Sequence, residues 1–558
     1  MEWNRVVAFV LAATGVAILA ACGTPAADDG ADGPIVSLSA ATPVSVTGGD
    51  VQGAATAANP DVIAFKGIPF AAPPVGERRW QPPAPVVTWT GVRDATETGP
   101  ICVQNGGQNV TQDEDCLFLN VWAPRETTEP RPVLFWIHGG GYTGGSGSSA
   151  LYDGTALAGD GAVVVTINYR LNVFGFLAHP ALSDESPHGA SGNYGLFDMV
   201  AALEWVRDNI ATFGGDPDRV MIVGESAGGG AVMAVMLMPQ AEGLYHRAIA
   251  QSTYIRGWDR PLDSPARGWE PAQAQGARIG EALGASGDDA DEQLAAMRAT
   301  SAGEVLEASN RDAGNTFRNT GNVWAPNVDG WAILDDPLAM YEGGRQHDVP
   351  LITGLMGNEG SLFTRNMDIA DVGSFEAYVR AVYPEHAEQM LAHYAVDSPE
   401  SATAGIDKLI HDLLFAGPVR AHAEAHAKKM SPVWLYHFTH APPTAWGETL
   451  GAHHAAELVY VFGTLTRTDD GGERPLGLST LGDFTEADFR LSETVRSYWI
   501  QFAATGNPNR PDLPDWPVFN LESNEHLVLN TAAAPAAELD VAGAALWNRQ
   551  QTDRRESN

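Results

Sequence analysis

A serine flanked by glycines stands where the chain is expected to turn sharply from a strand into a helix. Residues 224–228 have the sequence Gly-Glu-Ser-Ala-Gly, preceded by the apolar run 220–223 and followed by Gly-Gly-Ala-Val-Met-Ala at 229–234, a plausible helix start. A serine hydroxyl is a weak nucleophile at neutral pH, so it must project from a tight turn towards a base, and glycines leave room for the neighbouring backbone. This context predicts that Ser226 is a nucleophile, although the bare pattern also occurs in unreactive turns.

Three consecutive glycines follow a second apolar run. His-Gly-Gly-Gly at residues 138–141 comes directly after residues 133–137. Because glycine has no side chain to obstruct them, backbone N–H groups there can point into a cavity. We predict an oxyanion hole formed by the N–H groups of Gly140, Gly141 and Ala227. The motif alone could be a tight turn, but its order before the serine favours acyl-transfer chemistry.

The apolar runs that carry these motifs are typical of buried parallel strands. Residues 133–137, 162–167, 220–223 and 433–436 are continuous and β-rich. Between the second and third runs, apolar residues recur every three or four positions over 196–213, which predicts a helix. Strand and helix alternate, so the sequence predicts an α/β fold, with a mostly parallel central sheet and helices on both faces.

Two further stretches, residues 258–345 and 366–430, are rich in helix-forming residues. We expect them to be helical insertions over the carboxyl edge of the sheet that shape a substrate gorge. No internal repeat is visible, which favours one catalytic domain over residues 38–545 and a C-terminal tail at 546–558.

The charge balance excludes one class of partner. Asp and Glu number 69 against 33 Lys and Arg, giving a formal net charge of −36. Such a surface repels phosphate backbones, so nucleic acid is not expected as a partner. No metal-ligand cluster or phosphate-binding loop of convincing spacing is present, and we predict neither a metal nor a cofactor.

The N-terminus has the features of an export signal. The apolar stretch 6–20 is shorter than a bilayer span, and residues 1–21 are predicted to be a signal peptide of the lipoprotein type. Leu-Ala-Ala-Cys at 19–22 resembles a bacterial lipobox, in which Cys22 becomes the lipidated first residue and residues 22–37 form a flexible tether. The protein would then be tethered to the cell envelope; with a plain secretory signal it would be secreted or periplasmic. The oligomeric state is not predicted.

Two cysteines remain after Cys22. In an exported chain Cys102 and Cys116 are expected to form a disulfide, which would stabilise the fold by about 3 kcal/mol on the chain-entropy model. Two buried thiols are the alternative.

The sequence resembles the type-B carboxylesterase family of the α/β-hydrolase fold over about residues 40–540. The strongest matches, besides the two motifs above, are residues 65–76, 114–121, 168–170, 192–198 and 213–217, with weaker ones at 326–330, 358–360 and 506–509. The resemblance implies a serine carboxylesterase that cleaves small-molecule esters to acid and alcohol through an acyl-enzyme. An amide or carbamate hydrolase on the same residues, or a non-catalytic binding protein of this fold, are the alternatives.

The resemblance also supplies the remaining site residues. It implies Glu359, in Gly-Asn-Glu-Gly at 357–360, as the catalytic acid and His454 as the base. From the residues alone either His453 or His454 could serve, and the match around the histidines favours His454. Glu225 and Ser252 lie where the family has supporting residues, with ordinary polar packing as the alternative.

Other positions bear on structure and specificity. The resemblance places Cys102 and Cys116 in a disulfide loop braced by an ion pair between Arg79 and Glu114. Residues 103–115 contain no aromatic residue to stack on a cationic substrate, so choline esters are disfavoured. Leu362 replaces an aromatic residue of the cholinesterases, and Phe363 beside it is expected to line the acyl pocket.

Overall fold

A computed structural model of the chain describes residues 36–106, 110–255, 257–266, 269–312, 324–467 and 481–556. The predicted signal peptide, Cys22 and most of the predicted tether lie outside these residues. The tether was predicted to extend to residue 37, but Val36–Ser37 already forms a short strand, pairing antiparallel with Glu126–Thr127.

The central element is an eleven-stranded sheet. Its strands in chain order are β1 (Ala54–Ala55), β2 (Val62–Pro69), β3 (Phe118–Pro124), β4 (Arg131–Ile137), β5 (Val163–Ile167), β6 (Gly215–Glu225), β7 (Arg247–Gln251), β8 (Leu351–Met356), β9 (Val433–Phe438), β10 (Glu525–Leu529) and β11 (Ala534–Ala537). Their spatial order is β11-β10-β9-β8-β7-β6-β4-β5-β3-β2-β1. The seven strands β4 to β10 are parallel to one another, and the remaining strands are antiparallel at the two edges.

The four predicted strands are confirmed as β4, β5, β6 and β9. Their apolar runs are continuous because both faces of the central parallel strands are covered: β5, for example, is buried at every residue. The predicted helix over 196–213 is also confirmed. It consists of the α-helix Tyr194–Asn209 and a 3₁₀ turn, Ile210–Phe213, which ends at Gly214 in the left-handed region.

Helices cover both faces of the sheet. In the described residues the α-helices are Thr155–Gly159, Asn172–Phe176, Pro180–Glu185, Tyr194–Asn209, Ala227–Val235, Ala272–Ala282, Ala290–Ala299, Ala302–Asp312, Pro337–Glu342, Ser361–Thr364, Val372–Val382, Ala387–Tyr394, Pro399–His411, Gly417–His426, Ala445–Leu450, Leu458–Phe462, Glu486–Thr505 and Val541–Glu556. The helical character predicted for 258–345 and 366–430 is thus confirmed over their described parts. A π-helical turn, Asp412–Ala416, interrupts the second insertion. None of the described helices is long and apolar enough to span a membrane.

The helix Val541–Glu556 is packed against the second insertion. Leu546 and Trp547 are buried, and a Cβ added at Gly417 would lie 2.4 Å from the Trp547 ring. The prediction of a separate tail from residue 546 therefore needs correction, because residues 546–556 continue a packed helix. Both insertions and this helix line a cavity of about 440 Å³.

Candidate active site

The predicted nucleophile lies at the carboxyl end of β6, where the strand turns into the helix Ala227–Val235. Ser226 has φ 59° and ψ −123°, a backbone conformation that is strained for a residue with a side chain. Its N–H donates to the carbonyl of Gln251 (2.9 Å), and its own carbonyl accepts from the N–H groups of Gly230 and Tyr254 (2.8 and 3.1 Å). These three bonds hold the strained turn, as the strand-turn-helix prediction requires.

The glycines around Ser226 are needed for close packing. A Cβ at Gly228 would lie 2.1 Å from the carbonyl oxygen of Ile137, the last residue of β4. A Cβ at Gly139 would lie 2.6 Å from the carbonyl oxygen of Glu225 and 3.1 Å from Cβ of Ser226. The glycine turn after β4 therefore packs directly against the serine turn, which only residues without side chains permit.

The predicted oxyanion hole has free donors. Gly140 and Gly141 have φ values of 105° and 63°, both in the region that favours glycine. Within the described part of the chain, the N–H groups of Gly140, Gly141 and Ala227 donate to no other group. The carbonyl of Gly140 accepts instead from the N–H groups of Thr143 and Gly144 (3.1 Å each), which fixes the turn. The three N–H groups are thus available to a ligand oxygen.

Glu359 and His454 are brought together as predicted. Glu359 follows β8, and an isolated bridge between Asn358 and His453 joins its turn to the histidine loop. Nδ1 of His454 lies 2.6 Å from Oε2 of Glu359, and both side chains are buried. His453 instead directs its Nδ1 to the carbonyl of His454 (2.8 Å), which supports His454 over its neighbour.

Ser252 lies beside the acid, as predicted. It follows β7, and its hydroxyl donates to Oε1 of Glu359 (2.7 Å), which also accepts the N–H of Met356 (2.8 Å). Burial raises the pKa of the Glu359 carboxyl, but the charge of His454 and these hydrogen bonds outweigh it, so the pKa is lowered from its ordinary value. Glu359 is therefore ionised at neutral pH.

Glu225 contacts the opposite side of the same imidazole. Its Oε1 lies 3.0 Å from Nε2 of His454, and burial raises the pKa of Glu225 to about 7. Burial alone would lower the pKa of His454, but the carboxylates of Glu225 and Glu359 raise it to about 9. Among the described residues the hydroxyl of Ser226 makes no hydrogen bond, so the structure does not join it to Nε2. Such contacts often form only when substrate is bound.

Two aromatic rings cover the histidine. The ring centroids of Phe363 and Phe415 lie 5.0 and 4.6 Å from that of His454, and 5.4 Å from each other. Phe363 was expected at an acyl pocket, whereas Phe415 was missed because it lies within the π-helical turn of a stretch noted only for its helical composition. Leu413 and Leu414, which precede Phe415, line the large cavity.

A further buried acid was also missed. Glu457 is fully buried, and its Oε1 accepts from Nε2 of Gln251 (2.9 Å). Burial, reinforced by the charges of Glu225 and Glu359, raises the pKa of Glu457 to about 8. In the sequence analysis Glu457 only helped to align the histidine motif. Its spacing gave no sign that its carboxyl group lies near those of Glu225 and Glu359.

The predicted disulfide between Cys102 and Cys116 is formed. The ion pair between Arg79 and Glu114 is also present, with Nη2 and Oε1 2.5 Å apart. From this loop Gln104 reaches the oxyanion turn: its amide donates to the carbonyl of Gly145 (2.9 Å), and its carbonyl accepts the Gly145 N–H (2.8 Å). The disulfide loop thus contacts the segment that carries the predicted oxyanion donors Gly140 and Gly141.

The site is assembled at one edge of the sheet. Ser226, Ser252, Glu359 and the glycine turn all follow parallel strands, whose carboxyl ends meet at the same edge. Together with the large mixed sheet and the helices on its two faces, this arrangement defines an α/β-hydrolase.

Comparison with known proteins identifies the family. The model of the Carboxylesterase family matches residues 40–546. The chain is 36% identical to fumonisin B1 esterase of Sphingopyxis macrogoltabida, with 84% of this chain and 83% of that protein covered. It is 36% identical to para-nitrobenzyl esterase of Bacillus subtilis (84% and 91% covered) and 33% identical to human carboxylesterase 3 (87% and 86%). A solved structure of PNB esterase superimposes with a TM-score of 0.74, at 33% identity, covering 91% of this chain and 99% of that one.

The chain belongs to the carboxylesterase family and is a carboxylic ester hydrolase, with small-molecule esters as its class of substrate.

Proposed function

We propose that the protein is a serine carboxylesterase that works through an acyl-enzyme, with Ser226 as nucleophile, His454 as base and Glu359 as acid. The observation that carries the proposal is the contact between Glu359 and Nδ1 of His454 at 2.6 Å, formed at the sheet edge where Ser226 occupies its strained turn. The contact fixes the tautomer of the neutral His454 ring with its proton on Nδ1, so Nε2 is the atom that accepts the proton of Ser226.

The reaction follows from these positions. The hydroxyl of Ser226 attacks the ester carbonyl as Nε2 of His454 accepts its proton, and the carbonyl electrons move onto the oxygen. The N–H groups of Gly140, Gly141 and Ala227 stabilise that oxyanion. Collapse of the intermediate breaks the bond to the alcohol oxygen, which takes the proton from His454. Water then attacks the acyl-serine in the same way, releasing the acid and restoring the hydroxyl.

Glu225 and Glu359 support the imidazole when it is charged. With Glu359 at Nδ1 and Glu225 at Nε2, the imidazolium gains two carboxylate neighbours in a buried site. Both contacts are stronger with the charged ring than with the neutral one, so they favour the state in which His454 holds the proton.

The related esterases are named for different substrates, so the comparisons do not identify one particular ester as the substrate of this chain. We infer a preference for uncharged esters, because the carboxyl groups of Glu225 and Glu359 both contact the base and the whole chain carries a charge of −36. The absence of aromatic residues over 103–115 still argues against choline esters.

Hydrolysis of p-nitrophenyl acetate and butyrate tests the proposal. Ser226→Ala should lower kcat to near the uncatalysed rate, while Ser286→Ala, which changes an exposed serine of the first insertion, should match the wild type. Labelling with a fluorophosphonate followed by peptide mass spectrometry should place the adduct on Ser226. Full activity of Ser226→Ala, or labelling of another residue, would refute the assignment.

Paired ester and amide substrates distinguish a carboxylesterase from an amide hydrolase. A carboxylesterase should cleave p-nitrophenyl butyrate far faster than p-nitrobutyranilide. A rate on the anilide equal to or above that on the ester would favour an amide hydrolase using the same residues.

We also propose that the protein is exported and tethered to the cell envelope by lipid on Cys22. The support is the apolar segment 6–20 followed by the lipobox-like residues 19–22.

A further inference from the structure

His411 lies directly behind the proposed catalytic acid. It is the last residue of the helix Pro399–His411 and is buried. Its Nδ1 lies 3.3 Å from the backbone nitrogen of Glu359, and its Nε2 lies 2.9 Å from Oδ2 of Asp540. This side chain therefore connects the acid turn to the residue that precedes the helix Val541–Glu556.

The partners of His411 determine where its proton resides. The backbone N–H of Glu359 can only donate, so Nδ1 of His411 must accept. The ring proton is then on Nε2, where it is donated to the carboxylate of Asp540. One neutral tautomer satisfies both contacts, and the same carboxylate orients the ring.

Asp540 also interacts with Lys408, which belongs to the same helix as His411. Nζ of Lys408 lies 2.7 Å from Oδ1 of Asp540 and also bonds to Asp412. Burial raises the pKa of Asp540, but the hydrogen bonds from His411 and Lys408 and the charge of Lys408 lower it well below its ordinary value. The ligand atoms of His411, Asp412 and Asp540 lie within 4.8 Å of one another, a spacing that a metal ion could also use. The ammonium of Lys408 already supplies the positive charge there, so we interpret the cluster as a structural network.

The acid turn rests on the end of this helix. A Cβ at Gly360 would lie 1.9 Å from the carbonyl oxygen of Asp407, so the two backbones are in direct contact. The carboxylate of Glu359 is already occupied by Ser252, Met356 and His454. The bond from its backbone N–H to His411 is the contact that ties its main chain to the insertion.

We propose that His411, held by Asp540, is a positioning residue that sets the place of Glu359 and so couples the C-terminal helix to the catalytic histidine. The inference rests on the proposed roles of Glu359 and His454. Loss of the bond to Nδ1 would let the acid turn shift relative to His454, and small displacements of reacting groups lower kcat strongly while leaving substrate binding nearly unchanged.

Two substitutions of His411 each keep one of the two hydrogen bonds of its ring and remove the other. The side-chain oxygen of Asn occupies the place of Nδ1, so His411→Asn can still accept the N–H of Glu359 but cannot reach Asp540. The side-chain amide of Gln occupies the place of Nε2, so His411→Gln can still donate to Asp540 but leaves the N–H of Glu359 without an acceptor. If His411 only stabilised the fold, there would be no reason for His411→Gln to lose more kcat than His411→Asn.

The test measures kcat and KM for p-nitrophenyl butyrate, with the concentration of active enzyme set by fluorophosphonate titration. We expect His411→Gln to lower kcat about 10-fold with KM nearly unchanged, and His411→Asn to stay within about 3-fold of the wild type. The control is His393→Gln, because His393 lies 4.0 Å from Asp412 in the same network and has no contact with Glu359; it should behave as wild type.

Equal kcat for the Asn and Gln variants, or a larger loss in Asn, would overturn the proposal. If the His411 variants do not fold, Asp540→Asn provides a second test, since it keeps an oxygen for His411 but removes the charge. A kcat below the wild type at unchanged KM supports the proposal, and an unchanged kcat refutes it. Failure of the proposed function is recognised separately, because Ser226→Ala would then remain active.

Discussion

Oε1 of Glu225 lies 3.0 Å from Nε2 of His454, the ring nitrogen opposite the one that Glu359 contacts. The imidazole is therefore placed between two buried carboxyl groups. In the proposed mechanism the same nitrogen accepts the proton of Ser226, so Glu225 and the serine hydroxyl share access to Nε2. This relationship makes the pH dependence of the reaction sensitive to Glu225.

We predict that Glu225→Gln moves the ascending limb of the pH profile of kcat/KM to lower pH by about 1 unit or more. The base must be neutral to accept a proton, and its pKa is raised to about 9 by the carboxylates of Glu225 and Glu359 against the lowering effect of burial. Removing one negative charge lowers that pKa. Because the pKa of Glu225 is raised to about 7 and that of His454 to about 9, variant and wild type should differ most between about pH 7 and 9.

The profile is measured with a neutral p-nitrophenyl ester between pH 5 and 10. Glu400→Gln, an exposed glutamate on another element, should leave the limb in place. An unmoved limb in Glu225→Gln, or one displaced to higher pH, would contradict the role assigned to the contact.

Gln104→Ala should lower kcat about 10-fold and change KM little. The amide of Gln104 makes two hydrogen bonds to the backbone of Gly145, next to the turn that carries the proposed oxyanion donors. Without them the N–H groups of Gly140 and Gly141 are less well fixed, which weakens an interaction made only with the developing oxyanion. Asn105→Ala, in the same loop but bonded to Asn310, is the matched control. A rise in KM at constant kcat would instead indicate a role in binding.

Glu457→Gln should stabilise the protein increasingly as the pH rises. The pKa of Glu457 is raised to about 8, first by burial and then by the charges of Glu225 and Glu359. A carboxyl whose folded pKa exceeds its unfolded value contributes its full stability below the unfolded pKa and loses it as the pH rises through the folded one. Glutamine stays neutral throughout, so the Tm of the variant minus that of the wild type should grow by about 2 °C or more between pH 5 and 9.

Differential scanning fluorimetry across that range measures the difference. Glu448→Gln changes an exposed glutamate near the histidine loop and should give a flat difference. A difference for Glu457→Gln that is also flat, or that shrinks with pH, would show that Glu457 is not held protonated in the fold.

The parts of the site that short motifs encode were predictable from the sequence. The turn at Ser226 and the glycine turn at residues 138–141 depend on local backbone requirements, which residue types express directly. The central strands were recognisable because full burial requires continuous apolar runs. Glu359 and His454 required the family resemblance, since a lone acid or imidazole in a loop carries no local signature.

The contacts between distant segments could not be predicted. His411 ends a helix whose composition indicates only a surface insertion, and its bond to Glu359 depends on how that helix docks on the acid turn. The same holds for Phe415, and for Leu546 and Trp547, whose burial requires the second insertion. Such packing arises from the assembled fold and leaves no pattern in a single segment.

Cys22→Ser should release the protein from the membrane fraction without altering its kcat. The segment 6–20 and the lipobox-like residues 19–22 precede all of the described residues, and the proposed site lies wholly within the later chain. Each buried methylene of an acyl chain contributes about 0.8 kcal/mol to membrane binding, so chains attached to one cysteine hold a hydrophilic protein at a bilayer. Expressed in a bacterium that processes lipoproteins, the wild type should partition into the detergent phase of Triton X-114 and the variant into the aqueous phase. A wild type that stays aqueous, or whose mature N-terminal peptide carries no lipid by mass spectrometry, would show that the signal is an ordinary secretory one.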